Sequence, residues 1–480
     1  MNYSMIRFVL FKSLEILGVL LLFPLVVALI YSEWSRAALF ALLSLSVIVV
    51  SFIGCHFKPK ENSFFAREGF VITALIWIVI SVFGALPFYI SREIPSFVDA
   101  FFETVSGFTT TGASIMTSVD EMSKSTMFWR CFTHWIGGMG VLVFMLAVLP
   151  LAGGSTMHLM RAESPGPTVG KFVPKVKNTA KTLYYIYIGI TIAEICALML
   201  TGLGVYESVT YTFSTVGTGG FSISNAGVNA LPASSQTVIT VFMILCGVNF
   251  SVYYFIITKK YKEAFHFEEM RWYLAILFGS AVIISIGVFL NNHADTALEA
   301  FHHSIFTVAS VMTTTGFATL NFDIWPQYAR TMLFMLMLLG ACAGSTGGGF
   351  KVSRLIIMQR RIKNELIYNS HRKSVKQVYM DDQRVEGTTV KAVMAYAAIY
   401  ISFYLASLLI VSFDGQDFET NVTAVAATLN NIGPGLGIVG PTGNYSDYGI
   451  ISKIILSMDM LAGRLEFIPI MLLFSRRTWK

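Results

Sequence analysis

The chain has 480 residues, 55% of them hydrophobic and only 13% charged, with a mean hydropathy of +0.65. Such a composition excludes an ordinary soluble globule and points to a polytopic membrane protein. The formal net charge of +6 would also suit a nucleic-acid binder, but the basic residues are segregated as membrane topology requires, and no nucleic-acid partner is expected.

A helix needs roughly 20 residues to cross a hydrocarbon core of about 30 Å. Apolar runs of that length are expected to span near 8–31, 36–56, 69–90, 126–152, 183–204, 235–258, 272–291, 327–358, 390–412 and 449–474, giving about ten spanning helices. The first run contains Lys12 and Glu15 and lacks a small-residue cleavage site before Ser32, which predicts a retained helix and not a cleaved signal peptide. Between the third and fourth, fifth and sixth, seventh and eighth, and ninth and tenth runs lie segments rich in Thr, Ser and Gly, too broken to span. Helix, broken segment, helix therefore occurs four times after two N-terminal helices. The expected class is an all-α polytopic membrane protein with a pseudo-four-fold arrangement. Its boundaries are 1–60 for the N-terminal pair, then 61–160, 161–262, 263–375 and 376–480 for the repeats.

Lys and Arg collect in connections of one parity: Lys58, Lys60 and Arg67; Arg161, Lys171, Lys175, Lys177 and Lys181; Lys259, Lys260, Lys262 and Arg271; Arg360, Arg361, Lys363, Arg372, Lys373, Lys376 and Arg384; and Arg476, Arg477 and Lys480. This side is expected to be cytoplasmic, with both termini on it. The broken segments face the other side with acids that include Asp99, Glu103, Glu207, Glu299, Asp323, Asp417 and Glu419, a charge distribution that concentrates cations at an outer mouth. Cys55, Cys131, Cys196, Cys246 and Cys342 have unrelated spacings; they are read as small core residues, not as a disulfide framework or zinc site. The eight histidines form no HExxH or other ligand spacing, so no enzyme activity and no bound cofactor are expected.

Aligned on one glycine, the broken segments read SGFTTTGAS around Gly112, STVGTGGFS around Gly220, SVMTTTGFA around Gly316 and ATLNNIGPG around Gly433. Six residues earlier stand Ser106, Ser214, Ser310 and Ala427; two earlier stand Thr110, Thr218, Thr314 and Asn431. A dehydrated potassium ion needs a ring of oxygens, which backbone carbonyls supply where the chain is extended. Non-helical backbone at membrane depth must be buried in protein or line water, so four such loops imply a cavity. Thr110, Thr111, Gly112, Thr218, Gly219, Gly220, Thr314, Thr315, Gly316, Asn431, Ile432 and Gly433 are the candidate potassium filter. The apolar stretch before each loop suits a short helix whose C-terminal dipole end faces the cation. TVGTG at 215–219 differs by one letter from a potassium-channel filter word, but the four-way register centres its loop on Gly220.

These loops, with RCFTHWIGGMG at 130–140, GACAGSTGGGFKVSR at 340–354 and AGRLEFIP at 462–469, resemble the TrkH-type proteins of the Trk/Ktr/HKT superfamily of potassium transporters over nearly the whole chain. The resemblance implies potassium uptake through a filter whose glycines are Gly112, Gly220, Gly316 and Gly433. It also implies a bacterial inner-membrane homodimer and a soluble nucleotide-binding partner of the TrkA type. Glycine at all four positions resembles the potassium-selective pattern; sodium-favouring plant relatives carry serine at the first.

The run 327–358, at about 1.5 Å per residue, is too long for one simple span and should break at Gly344, Ser345, Thr346, Gly347, Gly348 and Gly349, just before Lys351 and Arg354. The run imitates a phosphate-binding loop, but Phe350 occupies the lysine position and no buried strand precedes it. Close helix packing through small residues is one reading; the family resemblance implies a flexible gating loop beneath the filter. Arg464 lies inside the last span beside Glu466, and an intramembrane charge is a functional candidate by default. A local pair with Glu466 or Asp459 is the structural alternative, whereas the resemblance implies contact with the gating loop. Arg130 and His134 carry no assigned chemistry. Two other functions stay open: a secondary carrier of another small solute, whose broken helices also yield Gly-rich segments, and a sodium-permeable relative.

Overall fold

The computed structural model describes residues 1–57, 59, 66–140, 176–372 and 376–479. Lys58, Lys60, Arg161, Lys171, Lys175, Lys373, Lys480 and the second half of the expected 126–152 span lie outside them. Among the described residues, six helices are long and apolar enough to cross a membrane: Tyr3–Ile30, Trp34–His56, Arg67–Ile90, Thr182–Leu200, Glu268–Leu290 and Gly387–Asp414. Their outward faces carry large apolar side chains such as Leu200, Leu290, Leu405 and Phe52, as lipid-facing surfaces require.

Four shorter helices, Phe97–Phe108, Val205–Val216, Ala297–Met312 and Phe418–Leu429, precede the aligned loops. At 12 residues, the first is about 18 Å long, half the hydrocarbon thickness. Each starts with satisfied amides and an acid in its first turn. The side chains of Ser96, Thr296 and Asp417 accept from Asp99, Glu299 and Thr420 amides, and the Glu207 carboxylate reaches back to the Gly204 amide at 3.3 Å. Capping and negative charge at the N-terminus stabilise helices too short to rely on propensity.

Three expected spans are interrupted. The run 327–358 divides into Gln327–Leu339 and Val352–Ser370, as the glycines predict. The run 235–258 is a correction: Ala233–Cys246 and Phe250–Ile257 meet at 91°. Gly247 ends the first helix and Asn249 caps the second, its Oδ1 accepting from the Ser251 amide at 2.8 Å. The run 449–474 is likewise two helices, Ile450–Leu465 and Ile468–Phe474, parted by Glu466 and Phe467, both at φ +62°. Pro469 in the first turn of the second pre-sets that restart. The all-α expectation also missed a two-stranded hairpin, Tyr379–Met380 with Gln383–Arg384, turned by Asp381 and Asp382 at φ 50° and 58°. Of the cysteines, Cys131, Cys246 and Cys342 are buried, but Cys196 is exposed, so the core reading fails there.

Candidate functional site

The four loops share one local geometry. Each short helix ends in a Schellman arrangement, in which the two amides after the last turn fold back on its carbonyls. Thr111, Gly219, Thr315 and Ile432 amides donate to the carbonyls of Ser106, Ser214, Ser310 and Ala427 at 2.9, 2.8, 2.8 and 2.8 Å. Those acceptors are the residues six before each glycine, so the register seen in the sequence is a register of helix termini. Thr110, Thr218, Thr314 and Asn431 take the left-handed position at φ 55°, 55°, 59° and 57°. Glycine is usual there; a side chain costs roughly 1–2 kcal/mol. The side chains of Asn431 and Thr314 make bonds that glycine could not: Asn431 donates to Thr111 Oγ1 at 3.0 Å and to the Met460 carbonyl at 2.8 Å, and Thr314 Oγ1 accepts from the Gly348 amide at 2.7 Å.

Two residues later the aligned glycines again have positive φ: 79°, 76°, 88° and 97° for Gly112, Gly220, Gly316 and Gly433. Each backs onto the next loop. A Cβ on Gly112 would fall 2.0 Å from the Gly219 carbonyl oxygen, one on Gly220 2.0 Å from that of Thr315, one on Gly316 2.1 Å from that of Ile432, and one on Gly433 2.7 Å from that of Thr111. First touches second, second third, third fourth and fourth first. All twelve candidate filter residues, from Thr110 to Gly433, are thereby brought into one closed cycle, and only glycine fits its four joints.

The break at 340–351 lies against this cycle. A Cβ on Gly347 would meet the Thr313 carbonyl at 2.8 Å, and one on Gly348 the Asn430 carbonyl at 2.6 Å. From the other side Arg464 Nη1 donates to the Thr346 carbonyl at 2.7 Å, and Nη2 to the Gly137 and Gly138 carbonyls at 2.6 and 3.2 Å. Lys351 is buried, with φ +70°, and its Nζ donates to the Gly347 carbonyl. Gly344 rests on the unexpected bend, its carbonyl accepting from the Phe250 amide at 3.0 Å, and the next residue, Ser345, donates Oγ back to the Cys342 carbonyl at 2.7 Å. Gly349 closes the loop at φ +77° beside Gly340. The eight residues expected to form a gate, Gly344 to Gly349 with Lys351 and Arg464, are thus in one place.

A family profile described as "TrkH: Cation transport protein" matches residues 35–479. The chain belongs to the TrkH family. The Trk system potassium uptake protein TrkH of Salmonella typhimurium is 33% identical over 465 residues, covering 96% of each chain. TrkG of Escherichia coli, also named a Trk system potassium uptake protein, is 32% identical over 466 residues, covering 95% of this chain and 94% of its own. The crystal structure of the potassium transporter TrkH from Vibrio parahaemolyticus superposes with a TM-score of 0.89 at 30% identity, covering 100% of both chains.

The TrkH-family site includes residues that sequence reasoning missed. Glu269, buried in the first turn of Glu268–Leu290, accepts from the Ala343 amide at 2.8 Å and the Ser353 amide at 2.9 Å, clamping the break at both ends. Arg354 pairs with Glu466 and lies 3.8 Å from the Tyr396 ring centroid. Of the two local partners considered for Arg464, Glu466 pairs with Arg354, and Asp459 accepts from Ser407 Oγ at 2.7 Å. No single motif marks Glu269; its only signal is an acid at the start of an apolar helix. Arg130 and Glu103 form a buried pair at 2.7 Å.

Proposed function

We propose that this chain takes up potassium across a bacterial inner membrane, through a filter formed by four loops with pseudo-four-fold symmetry. The closed cycle of glycine-to-carbonyl approaches carries this reading. It sets the carbonyls of Thr111, Gly219, Thr315 and Ile432 each against the glycine of an adjacent loop, and these four carbonyls are read as the ring that replaces the hydration shell of a dehydrated cation. The four short helices end at the cycle, so their negative dipole ends favour a cation there. Of the acids on their first turns, Glu207 and Glu299 attract cations toward the mouth, whereas Asp99 and Glu419 are paired with Lys453 and Arg330.

The segment 344–349, held by Arg464 and Lys351, is the gate, and the fixed Arg464 charge discourages a cation from resting below the filter. Both termini are cytoplasmic, following the basic connections. The protein works as a homodimer controlled by a nucleotide-binding TrkA-like subunit, an assignment that rests on family resemblance and the basic connection 360–388. The names of its relatives, each a potassium uptake protein, support the substrate. Purified protein in liposomes is expected to pass potassium and rubidium more readily than sodium or lithium. Equal or greater sodium flux overturns the selectivity, and gradient-driven uptake of an organic solute would favour a carrier.

A further inference from the structure

The first two loops are joined behind their glycines by charge. Glu103, on the first short helix, accepts from Arg130 Nε at 2.7 Å, from Ser114 Oγ at 3.0 and 3.1 Å and from the Ile115 amide at 3.0 Å. Arg130 also donates Nη1 to the Ser222 carbonyl at 3.0 Å and Nη2 to Ser114 Oγ at 3.3 Å. Ser114 and Ser222 each stand two residues after an aligned glycine. One guanidinium therefore touches equivalent points of two neighbouring loops. Its carbon also lies 3.5 Å from the centroid of Phe221, the residue after Gly220. His134, one turn along the same helix, stacks on that ring at 4.1 Å and backs Gly219, where a Cβ would strike it at 2.3 Å.

This joint is peculiar to the first repeat. Nine residues before the other glycines stand Tyr211, Thr307 and Ala424, and eighteen after them Val238, Phe334 and Ile451. The joint between the fourth and first loops uses a neutral group, Tyr445, whose amide donates to the Ser114 carbonyl at 2.8 Å and whose hydroxyl donates to that of Gly433 at 2.7 Å. The Arg130 and Glu103 side chains are 3% and 0% exposed. Burying two charges is costly, and well-packed apolar residues often serve stability as well or better. The planar guanidinium, with its nitrogens shared among Glu103, Ser222 and Ser114, fixes direction as well as distance, which an apolar pair would not.

We propose that the Glu103–Arg130 pair is a positioning staple that holds the segments after Gly112 and Gly220 in register, and so sets how strongly the filter discriminates among alkali cations. The inference rests on the filter reading. Filter carbonyls discriminate by number and spacing; a staple two residues beyond each glycine limits how far the Gly219 carbonyl moves relative to Gly112. Releasing it lets the first two loops contract onto a smaller ion, so sodium flux rises relative to potassium.

The test measures bi-ionic potassium/sodium potentials in proteoliposomes for wild type, Glu103→Gln, Arg130→Gln and the double variant, with thermal melts on each. Either single variant should lower the potassium preference about tenfold, the effect of losing about 1.4 kcal/mol of discrimination. The double variant should lose little more than either single one, because each already releases the same joint. Should the single variants fail to fold, Ser114→Ala and Phe221→Leu test the same joint without unpairing a buried charge, and are expected to reduce selectivity by a smaller factor. Unchanged selectivity in folded variants overturns the staple while leaving the filter reading intact. A wild type without potassium preference overturns the filter reading itself. A fall in flux for both ions at constant ratio assigns the pair to folding alone and also overturns the staple.

Discussion

Arg464→Ala should open the pore. Arg464 donates Nη1 to the Thr346 carbonyl of the candidate gate loop at 2.7 Å, and Nη2 to the Gly137 and Gly138 carbonyls at 2.6 and 3.2 Å. Movement of residues 344–349 away from the filter breaks the first bond and leaves the other two. Of these three bonds, only the first contributes to the difference between closed and open arrangements. A hydrogen bond from a charged donor contributes about 1.5–3 kcal/mol, which shifts the equilibrium roughly tenfold to a hundredfold toward open. Rubidium flux into liposomes should rise by up to that factor, until the open fraction saturates. Removing a fixed charge below the filter also raises flux, and Arg464→Lys separates the two causes. Lysine keeps the charge but presents one compact ammonium in place of a fork, so it cannot hold Thr346 and Gly137 together. If the bond matters, Lys behaves like Ala. A folded Arg464→Lys protein with wild-type flux, or a folded Arg464→Ala protein with unchanged flux, refutes this account of the gate.

Gly112→Ser places a Cβ 2.0 Å from the Gly219 carbonyl oxygen at φ +79°, which forces that carbonyl back by about 1.4 Å to reach ordinary contact; relative sodium permeation in bi-ionic measurements should rise, and an unchanged ratio would show that the joint does not face the ion. Glu269→Ala leaves the Ala343 and Ser353 amides without their shared acceptor and should cost about 2–6 kcal/mol, at roughly 1–3 per buried unsatisfied group, read as a lower melting temperature in detergent; Glu269→Gln should cost less. Asp417 caps the fourth short helix through the Thr420 amide at 3.0 Å, and Asp417→Ala should destabilise by about 1 kcal/mol. The Thr420 hydroxyl and amide hold the Asp417 carboxyl below its usual range. Its capping contribution is therefore complete above about pH 4 and is lost only as pH falls through the lowered value. A melting profile in which Asp417→Ala and wild type differ equally at neutral pH and in strong acid would contradict this.

The loops were legible because their constraint is local. A Schellman terminus followed by a second positive-φ residue must recur at fixed offsets, and four copies reveal it without any tertiary knowledge. The glycine run 344–349 announced its break for the same reason. The bend at Gly247–Asn249 was hidden because Val248 and the apolar residues around it continue the hydropathy of a span, and only a Gly with Asn two residues later signals stop and restart. Glu466 and Phe467 adopt positive φ against their own preference; nothing in AGRLEFIP but Pro469 hints at it. Arg130 and Glu103 are 27 residues apart on helices whose packing alone brings them together. Glu269 meets the break at 340–351 across more than 70 residues of sequence. Such partnerships are properties of packing, invisible to periodicity.

The central claim is that cations bind inside the cycle made by Gly112, Gly220, Gly316 and Gly433. Crystals grown in rubidium, examined by anomalous diffraction, test it most directly. The account predicts rubidium density on the axis of the cycle, coordinated by the carbonyls of Thr111, Gly219, Thr315 and Ile432. Ordered rubidium bound only elsewhere, with that axis empty, would contradict it.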